Sequence, residues 1–329
     1  MSRRPDSRDG EGGGGEERLK GLESLRRKLR TRRQRRSAPE SRPPSGADPK
    51  GAGPSILYQR SVPRTQVQPS SYRPPAGPAL LLERVVRGRE SRAPVGPAYY
   101  RVDEALETFD PQLAAACQGG LPLRIRSDPN DAGGVLLAQE LCNLCGGALP
   151  SANDLVILDL ETTGLSSSPV FLVGTLAAVS EGFVIRQFLA RTYAEERSII
   201  SAFAKEAGGK RLLVSFNGKS FDLPYLRARA AATGVALPEF PAHLDLLHPA
   251  RRVYSQVLPD CRLQTLERYV CRRRRVEDIP GEHIPDAYHY FVRTGNAAEV
   301  GRIIKHNAQD LVTLLELLLR LLGADRLQV

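Results

Sequence analysis

Between residues 154 and 322 the chain alternates short apolar runs with stretches of helical period. DLVILDLETTGL (154–165) begins with branched apolar residues, which predicts a buried strand over 154–161. PVFLVGTLAAVS (169–180) and FVIRQFLART (183–192) are two further β-rich runs, joined by a Glu181-Gly182 turn. A helix is expected over 194–207, stopped by Gly208-Gly209, then a strand in RLLVSFN (211–217). After an N-G-K-S turn a second helix covers 221–232. Residues 237–300 are polar and Pro-containing, and a long helix follows from about 297 to 322. Three strands, a helix, a fourth strand and further helices predict an α/β domain with a mixed sheet flanked by helices.

Upstream the pattern weakens. Residues 1–18 offer almost nothing to bury and are expected to be disordered. Residues 19–36 place Leu19, Leu22, Leu25 and Leu29 on one side of a short helix, with eight Lys or Arg between 26 and 36. That block is either a tether for nucleic acid or another anionic surface, or a solvated basic tail. Residues 37–78 are rich in Pro, Ser and Gly, so 1–78 is expected to be a disordered basic tail and linker. ALLLERVVRG (79–88) and PAYYRVDEAL (97–106) look like short strands or extended segments within a small β-rich or α+β lead-in over 79–150, packed on the domain at 151–322.

Composition narrows the class. At 329 residues and 41% hydrophobic content, no apolar run reaches the ~18 residues that span a bilayer. The longest, Leu311–Leu322, contains Glu316 and Arg320 and is expected to be a buried amphipathic helix. The net charge is +10, but residues 1–50 hold 15 Lys and Arg against 8 Asp and Glu, which accounts for +7 of it. Five cysteines with no secretory leader predict free thiols in a reducing, cytoplasmic setting, with no membrane association. Cys142 and Cys145 form C-N-L-C, but a structural zinc site needs a second pair. Core cysteines are the favoured assignment, with metal or redox roles as the alternatives.

The chemistry lies in the carboxylates. Asp159 and Glu161, two apart on a strand, project the same way about 7 Å apart. A divalent cation would offset their repulsion, unless they simply mark a solvated strand end. Asp222 begins a helix. His306 and Asp310, four apart on the last helix, share one face flanked by Ile303, Ile304, Leu311, Leu314 and Leu315. A lone Asp in that stripe is costly unless paired or ligated.

D-L-E-T-T-G-L (159–165), S-F-N-G-K-S-F-D (215–222) and H-N-A-Q-D (306–310) resemble, in order, the three motifs of the DEDD exonuclease superfamily. HLDLLHPARR (243–252), CRLQTLE (261–267), I-P-x-x-Y (284–288) and R-T-G (293–295) make the chain more similar still to the YprB-like family of ribonuclease H-like proteins. The resemblance covers about 151–322. It implies a ribonuclease H-like fold and a 3′→5′ exonuclease acting on single-stranded ends of DNA or RNA. It also implies two Mg²⁺ or Mn²⁺ ions held by Asp159, Glu161, Asp222 and Asp310, with His306 activating or orienting water. The four-residue step from His306 to Asp310 is that of the Tyr-type branch, with His in the place of Tyr. The rival expectations are a catalytically inactive nucleic-acid-binding protein on the same fold, and a scaffold recruiting partners through its basic N-terminal helix.

Further candidates stay open between two roles. Lys219 either touches phosphate or is solvated, and Thr162 either bonds a terminal nucleotide or caps its turn. His243 and Asp245 share a strand face and either extend the site or make structural hydrogen bonds. Arg272–Arg275 lie either on the substrate path or in a solvated loop. Tyr225, Tyr269 and Tyr288 either stack on bases or belong to the core.

Overall fold

The computed structural model describes residues 71–118, 132–164 and 168–322, all within one compact unit, Pro69–Val329. The basic block at 19–36, most of the linker and Leu165 of the first motif lie outside the described residues.

A seven-stranded sheet organises the unit, in the order β1-β2-β5-β4-β3-β6-β7. The strands are β1 (Arg89–Ser91), β2 (Tyr99–Ala105), β3 (Leu155–Thr162), β4 (Val170–Val179), β5 (Gly182–Leu189), β6 (Leu212–Ser215) and β7 (Ala242–Asp245). The β1-β2-β5-β4-β3 ladder is antiparallel, and β6 and β7 continue it in parallel. This is the expected mixed sheet. The longer helices are α1 (Ala132–Leu144), α2 (Glu196–Ala207), α3 (Asp222–Thr233), α4 (Leu247–Tyr254), α5 (Leu263–Tyr269), α6 (Ile284–Thr294) and α7 (Val300–Leu321).

Strand alternation divides the core into two clusters. Val156 and Leu158 join a cluster with α2, α3, α6 and the start of α7. Leu155 and Ile157 join one with α1, α4, α5 and the later turns of α7. Leu311, Leu314, Leu315 and Leu318 are fully buried there, which accounts for the apolar stripe of α7.

Two expectations upstream of the sheet are corrected. The run 79–88 is not a strand: Leu82–Val85 is a helical turn, with Leu82 and Val86 buried at i, i+4 and Leu81 exposed. A run of three leucines does not distinguish the two periods. The segment 97–106 does form a strand, but β2 pairs along β5 and extends the sheet, so it is the later part of the lead-in, with Leu113, Leu137 and Leu141, that packs on the domain. The polar stretch 237–300 conceals β7 and three helices of seven to eleven residues, too short for periodicity to stand out.

Candidate functional site

Asp159 and Glu161 stand at the end of β3, where a bulge between Glu161 and Thr162 breaks register with β4. Bulges at strand ends re-aim side chains. Asp222 is the first residue of α3, reached through a turn whose Asn217 is left-handed (φ 60°). Gly218 in that turn passes so close that an added Cβ would lie 2.2 Å from Ser215 Oγ and 3.2 Å from Asp222 Oδ2. Asp310 comes from the middle of α7.

These four carboxylates act strongly on one another. Burial drives the Asp159 carboxyl far above its ordinary range, and Asp310, Glu161 and Asp222 add to that. Glu161 is raised by burial and then by Asp310 and Asp222, with Arg275 opposing. Asp222 is pushed up to about 7 by burial, with Asp245 and Asp310 adding to it and backbone amides opposing. The acidic strand end is therefore one corner of a cluster drawn from three distant segments.

The balancing positive charge includes Arg275. Its guanidinium hydrogen-bonds Asp310 Oδ1 and grips buried Glu267 from both Nε (2.8 Å) and Nη2 (2.5 Å). Asp278 Oδ2 lies 3.4 Å away. Asp278 also holds His306: its Oδ1 is 2.8 Å from Nδ1, and His306 Nε2 is 3.4 Å from Asp310 Oδ2. An ionised carboxylate only accepts, so the short contact calls for a proton on Nδ1, which also lies 3.3 Å from Arg275 Nη1, while Nε2 faces Asp310.

Asp159 is oriented from the other side. Asn307 Nδ2 donates to Asp159 Oδ2 (2.7 Å), and Gln187 Nε2 donates to Asn307 Oδ1 and to Ile304 O (2.8 Å each). Asp159, Gly174 and Gln187 lie opposite one another across β3, β4 and β5. A Cβ at Gly174 would come within 2.0 Å of Asn307 Oδ1, so only glycine leaves room for that amide.

The remaining candidates divide. Thr162 Oγ1 donates to Gly164 O (2.8 Å), and the Tyr225 hydroxyl donates to Ser168 O (2.5 Å), so both make hydrogen bonds to backbone carbonyls near the carboxylates. Asp245 accepts from the backbone amides of Asn217, Lys219 and Leu247, and thereby holds the turn that delivers Asp222. His243 Nε2 lies 2.8 Å from Ser215 Oγ, and burial with nearby Lys219 lowers its pKa to about 4. Lys219 itself is exposed. Tyr288 is core, stacked on Phe171 at 3.9 Å, whereas Tyr269 is 47% exposed. Cys145 is buried, Cys142 half-buried, and both are free thiols.

The arginine run splits in direction. Arg273 pairs with Asp110 and Glu316, Arg275 turns into the carboxylates, and Arg272 and Arg274 face solvent. Sequence reasoning named Arg275 only as one of the run Arg272–Arg275, without its pairing to Asp310 and Glu267, and missed Glu267, Asp278, Asn307 and Gln187. The available signals were a glutamine within an apolar strand and a glycine in the middle of β4.

A divalent ion fits this donor set chemically, because all four carboxylates are hard oxygen ligands and three of them are buried with their proton affinity raised. As arranged, no three carboxylate, imidazole or thiol groups among the described residues stand close enough together to clasp an ion. Arg275 engages Asp310 through Oδ1 and Asn307 engages Asp159 through Oδ2, so each bond takes up one oxygen of its carboxylate.

The chain is 31% identical over 170 residues to "Uncharacterized protein YprB" of Bacillus subtilis (strain 168), a match spanning 50% of this chain and 41% of that protein. It is also similar to the family B DNA polymerase of the hyperthermophilic archaeon Pyrobaculum calidifontis, with a TM-score of 0.40 and 20% identity over 50% of this chain and 24% of that one. A model of the RNase_H superfamily matches residues 156–322. The chain belongs to the RNase_H superfamily, and its mixed sheet with flanking helices is a ribonuclease H-like fold.

Proposed function

We propose that the chain is a metal-dependent nuclease that hydrolyses phosphodiester bonds of DNA or RNA, acting as a 3′→5′ exonuclease on single-stranded ends. One observation carries this: Asp310 raises the proton affinity of buried Asp159, Glu161 and Asp222, and Glu161 and Asp222 add to the effect on Asp159, a charge deficit that divalent cations relieve. These four would hold two Mg²⁺ or Mn²⁺ ions. Bound there, the ions would supply an activated water and stabilise both the attacking and the leaving oxygen.

The chain's own residues do the rest. Asn307 fixes the Asp159 carboxylate through Oδ2. Asp278 holds the His306 ring by Nδ1, so Nε2 takes the proton from the attacking water. Asp278 and Asp310 then stabilise the imidazolium. Asp245 keeps the 217–219 turn closed so that Asp222 enters the cluster at the start of α3.

The test incubates labelled single-stranded DNA and RNA with the protein in Mn²⁺, Mg²⁺ or EDTA, beside Asp159→Asn. We expect cleavage that depends on the ion and on Asp159, releasing mononucleotides from the 3′ end. Internal cuts would replace the exonuclease assignment with an endonuclease. No Asp159-dependent cleavage of either substrate would leave a nucleic-acid-binding protein on an inactive nuclease fold.

A further inference from the structure

Beside the carboxylate cluster, α5 and the segment 272–278 enclose a cleft of about 600 Å³. Glu267, Arg275 and Asp278 form part of its lining; Arg275 also pairs with Asp310, Asp278 with His306, and Glu267 holds Arg275. Cleft and cluster thus share a wall. Arg273 and Arg275 are neutralised by acids, but Arg268 and Arg274 are exposed and have no carboxylate within ion-pair distance among the described residues. They leave the cleft with unbalanced positive charge. The Arg268 guanidinium stands 5.5 Å from the centre of the Tyr269 ring, and that ring is almost half exposed.

The backbone here is held in an uncommon form. Arg272 (φ 57°) and Glu277 (φ 58°) are left-handed, and the other such non-glycine residue among those described is Asn217, in the turn that delivers Asp222. Strain of this kind collects where a fold aims side chains for function. Between the two strained residues, Arg273 and Arg275 anchor inward through ion pairs, and Arg274 is turned out.

We infer that this cleft is a subsite for a single-stranded polynucleotide leading to the carboxylates. Arg268 and Arg274 hold its phosphates, and Tyr269 stacks an unpaired base. The inference rests on the nuclease assignment and adds where the single strand lies and which residues hold it. Unpaired positive charge calls for phosphates, and an exposed aromatic face calls for a base whose own face is free. A duplex hides its base faces in the stack. The shared chemistry is a phosphodiester strand with free bases, so DNA and RNA are two arms of one experiment.

The experiment measures fluorescence anisotropy of labelled single-stranded DNA, single-stranded RNA and duplex DNA. The protein is the full chain carrying Asp159→Asn, in EDTA, across roughly 50–200 mM salt. Adding Arg268→Ala and Arg274→Ala should lower the slope of log affinity against log salt by about 1.4 for single strands, about 0.7 for each phosphate released. Tyr269→Ala should weaken single-strand binding about 5- to 100-fold, and Tyr269→Phe should restore it. All three residues are exposed, and circular dichroism checks that the variants fold. An unchanged slope, an unchanged Kd for Tyr269→Ala, or an equal loss with duplex DNA would overturn the subsite. If those results came with Asp159-dependent cleavage by the parent chain, the subsite alone would fall. Absence of both binding and cleavage would remove the nuclease assignment as well.

Discussion

Asn307 and Gly174 show how one small residue governs a charged one. The amide fits over the glycine because no Cβ competes, and from there it reaches both Gln187 and Asp159. Gly174→Ala must therefore displace Asn307 and leave buried polar groups without partners, at a cost of about 1–3 kcal/mol. We expect a lower midpoint in urea at unchanged m-value, together with weaker Mn²⁺ binding by calorimetry, because Asp159 loses the bond that orients it. Loss of stability with Mn²⁺ affinity intact would mean that Asn307 is only a packing residue. Gly174 stands in an apolar run where a glycine weakens a strand, so its meaning was available in the sequence only as an anomaly.

The same contrast governs the segment 272–278 as an element. Four consecutive arginines read as one charge block, yet the fold gives alternate members opposite roles, with Arg273 and Arg275 inward. Arg275 stands against Asp310 as a built-in counter-ion. Arg275→Gln alone strands Glu267 in the interior and should destabilise by about 3–5 kcal/mol. Glu267→Gln with Arg275→Gln removes both charges and should recover most of that loss. In the double variant Asp310 loses its guanidinium partner, and Mn²⁺ should bind more tightly than to the parent, read by calorimetry in the absence of substrate. Unchanged or weaker Mn²⁺ binding would show that the guanidinium does not compete for Asp310.

For the whole molecule, the carboxylate cluster sets a pH dependence of stability. Asp222 has its pKa raised from 3.8 to about 7, and Asp159 and Glu161 are also raised. The folded chain keeps protons that the unfolded chain has already released. This contribution is complete below about pH 4 and disappears as pH rises towards 7. Divalent ions bind the deprotonated cluster and offset the loss. The increment in Tm from Mn²⁺ over EDTA should therefore grow from pH 5 to pH 8. An increment that is flat or shrinks over that range would mean that the ions bind elsewhere.

What the sequence determined by itself is what local periodicity controls. The β3 strand, the i, i+2 placement of Asp159 and Glu161, the helix start at Asp222 and the shared face of His306 and Asp310 follow from rise and turn angle alone. The mixed sheet followed from the order of those elements. Tertiary structure decided the rest, because it depends on groups far apart in the chain. Asn307 meets Asp159 across 148 positions, Gln187 meets Asn307 across 120, and Arg275 meets Asp310 across 35. No repeat or spacing records which side chain fills the gap above a glycine. Nor does a run of like charges show which members turn inward, since that is decided by the buried acids waiting for them.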